Sequence, residues 1–268
     1  MNSPDTPAPT PAAPAASASP ALASASASAA PGFAASAAPA TSSATANKSP
    51  GPPAQVGRYK ERASTERAIL DAILDDVLAG TLSTVVDGRP WVVPMLFARD
   101  GDRVLLHGST GAGALRHVAA GAPATLALIA VDGLVVAHST FESSANYRSA
   151  IVSGHLRELS ADDRAGALDK LSERLLPGRT AEVVPMAPKE IAATLAMELP
   201  IIDGQWTVKV RSGPPSPPGP DEEANAWCGV IPLAHTAGTP QPAPWSVGEV
   251  PGSVVDFVAS RPGPEMSA

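Results

Sequence analysis

One cysteine, Cys228, in 268 residues excludes an intramolecular disulfide framework and the small secreted domains built on one. Runs of about eighteen apolar residues, the length a membrane-spanning helix needs, are missing. Basic residues are in deficit. Lys and Arg total 19 against 26 Asp and Glu, for a formal charge of -7 and a pI near 5.2. That balance argues against a broad electrostatic grip on nucleic acid, while leaving room for one local basic pocket. Charge is missing altogether between Asp5 and Lys48, where Leu22 and Phe33 are the only large apolar groups among Ala, Pro and Ser. Burial there cannot offset the entropy of ordering, so residues 1–57 read as a disordered tail. Pro and Ser interrupt every alanine run, which no signal peptide tolerates, so a soluble, reducing, cytoplasmic setting is expected.

What is present begins near Arg58, where charge and large aliphatics first occur together. Ile69, Leu70, Ile73, Leu74, Val77 and Leu78 recur at helical spacing behind a Ser64 cap, with Gly80 as the stop. Strand-like segments follow at 81–86, 91–98, 104–106, 125–131, 134–137 and 149–159. Asp87-Gly88, Asp100-Gly101 and Asp132-Gly133 punctuate them, the dipeptide suited to the positive φ of tight hairpins. Connections this short force antiparallel pairing. Helices are expected at 112–120, 161–176 and 188–197. The run from Gly213 to Pro220 is too proline-rich for a ladder and reads as an extended arm, after which 227–233 docks back. From residue 234 to 268 rising Pro, Gly and Ser content suggests a flexible C-terminal tail.

The stretch from Val104 to Val118, VLLHGSTGAGALRHV, carries the most chemistry: a strand enters a small-residue loop and then a helix. A helix start offers unpaired N–H groups and partial positive charge to phosphate oxygens. Ser109 and Thr110 add hydroxyls, and Arg116, a turn into the helix, adds full charge. Such loops also occur in proteins that bind nothing. Two sharper motifs fail here. No Lys lies between Lys60 and Lys170, which removes the Gly-Lys-Ser/Thr phosphate loop, and Arg116 stands where the third glycine of a dinucleotide fingerprint belongs.

Three stretches in order, Gly88 to Pro94 (GRPWVVP), Leu106 to Thr110 (LHGST) and Asn146 to Ser149 (NYRS), resemble the signatures of FMN-binding proteins related to pyridoxamine 5'-phosphate oxidase, in a branch that includes nitroimidazole-resistance proteins. The resemblance spans 58–233. It implies a mainly β (α+β) fold, a six-stranded antiparallel split β-barrel with flanking helices, forming a homodimer with FMN in the interface. By that resemblance the backbone of Val92, Val93, Pro94 and Met95 lines the flavin ring. His107, Gly108, Ser109, Thr110 and Arg116 hold the phosphate, Tyr147, Arg148 and Ser149 approach from a neighbouring strand, and Lys209 and Arg211 reach a flavin bound mainly by the other subunit. The basic pair that many relatives carry at the helix start is replaced by Gly113, Ala114 and Leu115, which implies either a weaker phosphate grip or compensation by Arg116 and Arg148. The histidines before Asn146 in this subgroup are absent from 141–145.

His107 is the one candidate catalytic side chain, since imidazole titrates near neutral pH; a structural donor at a strand end is the competing role. The five histidines and Cys228 show no metal-ligand spacing, so no metal site is expected. Two functions stay open. One is an FMN-dependent oxidoreductase acting on a small organic substrate; the other is a non-catalytic flavin carrier. Haem or a deazaflavin in the same pocket is a further variant. Neither nucleic acid nor membrane is an expected partner.

Overall fold

The computed structural model of the chain describes residues 59–111, 113–220 and 226–262. The expected disordered tail, 1–57, lies outside the described residues, as does Arg58. Ten strands form one antiparallel sheet: β1 (Ala63–Ser64), β2 (Ala79–Val86), β3 (Arg89–Asp100), β4 (Arg103–Ser109), β5 (Pro123–Val136), β6 (Ser144–His155), β7 (Arg157–Glu158), β8 (Thr194–Pro200), β9 (Trp206–Arg211) and β10 (Gly229–Pro232). Their order is β1-β9-β6-β5-β2-β3-β4-β8-β7, with β10 added to β5. Around them lie α1 (Arg67–Asp76), α2 (Gly113–Ala119), α3 (Ala161–Leu175), α4 (Pro188–Ala193) and α5 (Gly252–Ala259). The antiparallel, mainly β expectation holds, but the strand count is ten, not six. Short strands such as β1, β7 and β10 carry too little hydrophobic pattern to be seen in sequence.

The inner face of the curled sheet, α1 and α2 enclose the main core. Leu70, Ile73 and Leu74 of α1 and Leu115 and Val118 of α2 meet Leu82, Phe97, Val104, Leu106, Leu126 and Met197 there. A second, smaller cluster lies on the outer face, where α3 places Ala167, Leu168 and Leu171 over Ala98, Leu105 and Ala196. α3 forms because Ser160 caps it, accepting from the Asp163 N–H at 3.2 Å, and because Asp162 and Asp163 sit at its positive end. Strand β4 is therefore covered on both faces, Val104 and Leu106 inward and Leu105 outward. This is why it reads as an unbroken apolar run.

Several boundaries differ from the sequence reading, each for a local reason. α1 begins at Arg67 after an Glu66 cap position that makes no side-chain bond, because the Ser64 hydroxyl accepts from the Glu66 N–H in an isolated turn. It ends at Asp76, and Gly80 is part of β2, where a Cβ would lie 2.8 Å from Leu126 and Leu128. The expected helix 188–197 stops at Ala193, because Leu195, Met197 and Leu199 are needed in β8 against the core. Asp87 and Gly88 take positive φ and make the β2–β3 hairpin as anticipated. Asp132-Gly133 does not make a turn. Val131 faces Tyr147 and Gly133 faces Asn146, so Asp132 is the extra residue of a β-bulge inside one long strand. The flexible tail expected from residue 234 contains α5, pinned where Glu182 accepts from the Ser253 N–H at 2.9 Å and from its hydroxyl.

Candidate functional site

Strand β3 pairs with β2 along Arg89–Leu96, but with β4 only along Phe97–Asp100. Past that point β4 continues beside β8 and into α2, so residues 89–96 keep an edge with no strand partner among the described residues. Pro90 and Pro94 lie on this stretch, and a proline fits an open edge because it has no N–H to give a ladder. Val92, between them, keeps its N–H. Backbone polar groups exposed in this way are available to a ligand.

Strand alternation sorts the candidate side chains. On β3, Val93 and Met95 turn inward and pack on the core, whereas Val92, Pro94 and Leu96 turn outward. On β4, His107 follows Leu105 onto the outer face, opposite Ala196 and at the margin of the area that α3 covers. Its Nδ1 is buried without a hydrogen-bond partner. On β6, Tyr147, Ser149 and Ile151 alternate with buried Asn146, Ala150 and Val152. Directly opposite them on β9 stand Arg211, Lys209 and Thr207. The outer face thus carries two separate sets, Val92, Pro94 and His107 on β3 and β4, and Tyr147, Ser149, Lys209 and Arg211 on β6 and β9, with β2 and β5 between them. Arg211 donates to the Asn146 side-chain oxygen at 2.8 Å, which fixes its stem at the sheet end.

Beyond β4, the loop spends part of its donor capacity on itself. Thr110 donates from N–H and hydroxyl to the Ala193 carbonyl at 3.4 and 3.2 Å, and Gly111 donates to the Ser109 hydroxyl at 3.2 Å. At Gly108 strand and helix approach closely, since a Cβ there would lie 2.3 Å from Leu115 Cδ1. Arg116, in contrast, is exposed and forms no ion pair with any described residue. A Cβ added at Gly113 would meet no described atom within 4 Å.

Arg148 is the correction. It points to the inner face, between Tyr147 and Ser149 that point outward, and it is held by Asp132 at 2.9 and 2.7 Å and by Asp76 at 2.7 Å. The hydrogen bonds to Asp132, then those to Asp76, raise its pKa against the opposing effect of burial. It also lies at the wrong end of β5. Arg148 faces Ala130, while α2 contacts Val85, next to Thr84 and its bond to Pro123. Seven residues of strand, roughly 23 Å, separate those ends. Arg148 is not a counter-charge for this loop in the same chain.

The family model described as pyridoxamine 5'-phosphate oxidase matches residues 66–205. The chain belongs to this family. Among solved structures it is similar to the FAD and haem binding protein from Mycobacterium smegmatis, with 43% identity and a TM-score of 0.70, covering 73% of this chain and 96% of that one. It is also similar to the flavocytochrome Anf3 from Azotobacter vinelandii, with 30% identity and a TM-score of 0.69, covering 75% of this chain and 94% of that one. No curated protein matches the chain. For a pyridoxamine 5'-phosphate oxidase family member, two features were missed in sequence. The Trp206–Arg211 alternation, with Trp206, Val208 and Val210 inward, was a readable strand signal. The open edge of β3 carried only its two prolines as a signal.

Proposed function

We propose that the chain binds a flavin on the open outer face and serves as a flavin-dependent oxidoreductase for a small organic substrate. The observation that carries this reading is the unpaired backbone edge of residues 89–96 on β3, with Val92 and Pro94 facing outward and the exposed Arg116 on the helix that follows β4. The relative from Mycobacterium smegmatis, described as binding FAD and haem, supports it. A bound flavin supplies hydride exchange at its ring, so few catalytic side chains are needed. The protein's part is to hold and orient. The backbone of residues 92–95 lines the ring, Ser109 and the unpaired Arg116 take phosphate, and Lys209 and Arg211 bring positive charge to the flavin held mainly by the other subunit. FMN was the expectation from resemblance; that relative brings FAD equally into the proposal, because a loop that grips one phosphate serves either nucleotide.

The same face is where two copies meet. Val85, Val92, Leu96, Ile129, Val131, Leu134, Ile151 and Ile231 are exposed there, and exposed apolar side chains on one sheet face mark an interaction surface. We assign it to a homodimer with flavin between the subunits. Haem is a second reading, favoured by the orphaned His107 Nδ1 as a donor and by the wording of both relatives. A non-catalytic flavin carrier would use the same face.

Native mass spectrometry of the purified protein, followed by titration with FMN and FAD, tests the proposal. Arg116→Ala is expected to weaken flavin binding about 10- to 30-fold, the loss of one charge-assisted phosphate contact. No flavin bound by the unaltered protein overturns the reading. A flavin that binds but is reoxidised or reduced no faster than free flavin, with oxygen, nicotinamide donors or nitroaromatics, leaves the carrier function in place of the oxidoreductase. A Soret band identifies haem.

A further inference from the structure

Between β10 and α5 runs a strap, residues 234–251, that has almost no regular structure and contains Pro240, Pro242, Pro244 and Pro251. It is tied to its own chain at both ends. Leu233 donates to the Asp132 carbonyl at 3.0 Å, and Ala237 to the Arg261 carbonyl at 3.0 Å behind α5, whose Ser253 is held by Glu182. Those anchors lie on two borders of the open face. β10 extends it, with exposed Ile231 directly opposite exposed Leu134. Glu182 follows α3, which covers the other half and whose Arg174 reaches the Val77 carbonyl, just before β2, at 3.2 Å. The strap runs from one to the other.

Its large apolar side chains are exposed among the described residues. Trp245 is 82% exposed and Val247 92% exposed, and Val250 is also exposed. Prolines restrict the backbone, so the strap cannot readily collapse to bury them. Tryptophan on a pre-organised segment is the side chain most often found anchoring a protein interface, where burial adds affinity at little entropic cost.

We propose that the strap grips a second copy of this chain seated on the open face, with Trp245 and Val247 as the anchoring side chains. The inference rests on the dimer assigned above and adds a contact outside the sheet. The occupant is a second copy because the strap borders, and through Ile231 is continuous with, the apolar face assigned to self-association. Each copy then supplies one rim to the other's flavin site.

A photoreactive benzophenone amino acid at position 245 of the full chain, in a mixture of heavy- and light-isotope protein, reads this contact. Heavy–light cross-links from position 245 are the expected result. The double variant Trp245→Ala, Val247→Ser should raise the dimer dissociation constant at least about tenfold. Its circular dichroism should match the unaltered chain, since these side chains are exposed. Cross-links confined to one chain or to bound flavin or haem overturn the proposal, as does an unchanged dissociation constant. Ile129→Glu separates the two readings. If it makes the protein monomeric while the strap variant dimerises normally, only the strap fails; if the unaltered chain is monomeric, both fail.

Discussion

The outer face of the sheet has two halves built from the same alternation, and only one of them is covered. On β3, β4 and β8 the outward residues Ala98, Leu105 and Ala196 are almost fully buried under α3. On β3, β2, β5 and β6 the outward residues include Val92 at 58% and Ile129 at 62% exposure. Both halves carry aliphatic side chains, but the bare half interleaves them with Tyr147, Ser149, Lys209 and Arg211. The covered half stabilises the chain, whereas the bare half leaves apolar side chains in water. His107 sits on the boundary, buried enough to lose its hydrogen-bond partner and near enough to the bare half to meet a ligand.

The largest test of that contrast is to cut the same volume from each half. Leu105→Ala should cost about 3 kcal/mol of unfolding free energy, because α3 cannot collapse into the space. Ile129→Ala, measured in dilute solution where a dimer dissociates, should cost less than about 1 kcal/mol and should instead weaken self-association. Equal losses by chemical denaturation in the two variants would erase the distinction.

A second test sharpens the contrast between two arginines. Arg148→Ala leaves Asp132 and Asp76 facing each other without a cation beside the bulge. The expected loss is about 2 kcal/mol, between the values for exposed and buried pairs, with flavin affinity within about threefold of the unaltered protein. A thermal melt paired with a flavin titration checks both. If Arg148→Ala instead left stability intact and abolished flavin binding, Arg148 would belong to the cofactor after all, across the subunit boundary.

The smallest effect concerns the strap's anchor. Hydrogen bonds from Ser253, hydroxyl first and then N–H, hold the Glu182 carboxyl below its ordinary value of 4.5. A depressed carboxylate contributes its stabilisation above the unfolded pKa and loses it as pH falls through the folded value. Hydrogen exchange of 252–260 should therefore be slow near neutrality and accelerate beyond the intrinsic rate change only below about pH 4.5. Glu182→Gln should flatten that response. A protection that is unchanged down to pH 3 would show that other contacts hold α5.

Much of the fold around the candidate site was legible before the structure was known. The strand-to-helix turn after β4 and the β2–β3 hairpin were found from glycine and Asp-Gly spacing, while the roles of 106–110 and 146–149 at a flavin came from resemblance and stand as a proposal. Arg148 does not serve the loop of its own chain, because a three-residue motif is contiguous in sequence but not on a sheet, where Tyr147 and Ser149 share a face that Arg148 does not. The bulge at Asp132 was read as a turn because an Asp-Gly pair permits both, and only the long-range pairing with Tyr147 and Asn146 chooses between them.

The sequence alone determined the antiparallel class, the helical and strand periods, and which residues fall on alternate faces, since these depend on neighbours a few positions away. Tertiary structure alone decided which face α3 covers, where β3 loses its partner and which arginine meets two carboxylates. Those outcomes depend on pairing between segments far apart in the chain, as when Arg103 of β4 meets Glu198 of β8, and no local pattern encodes such a choice.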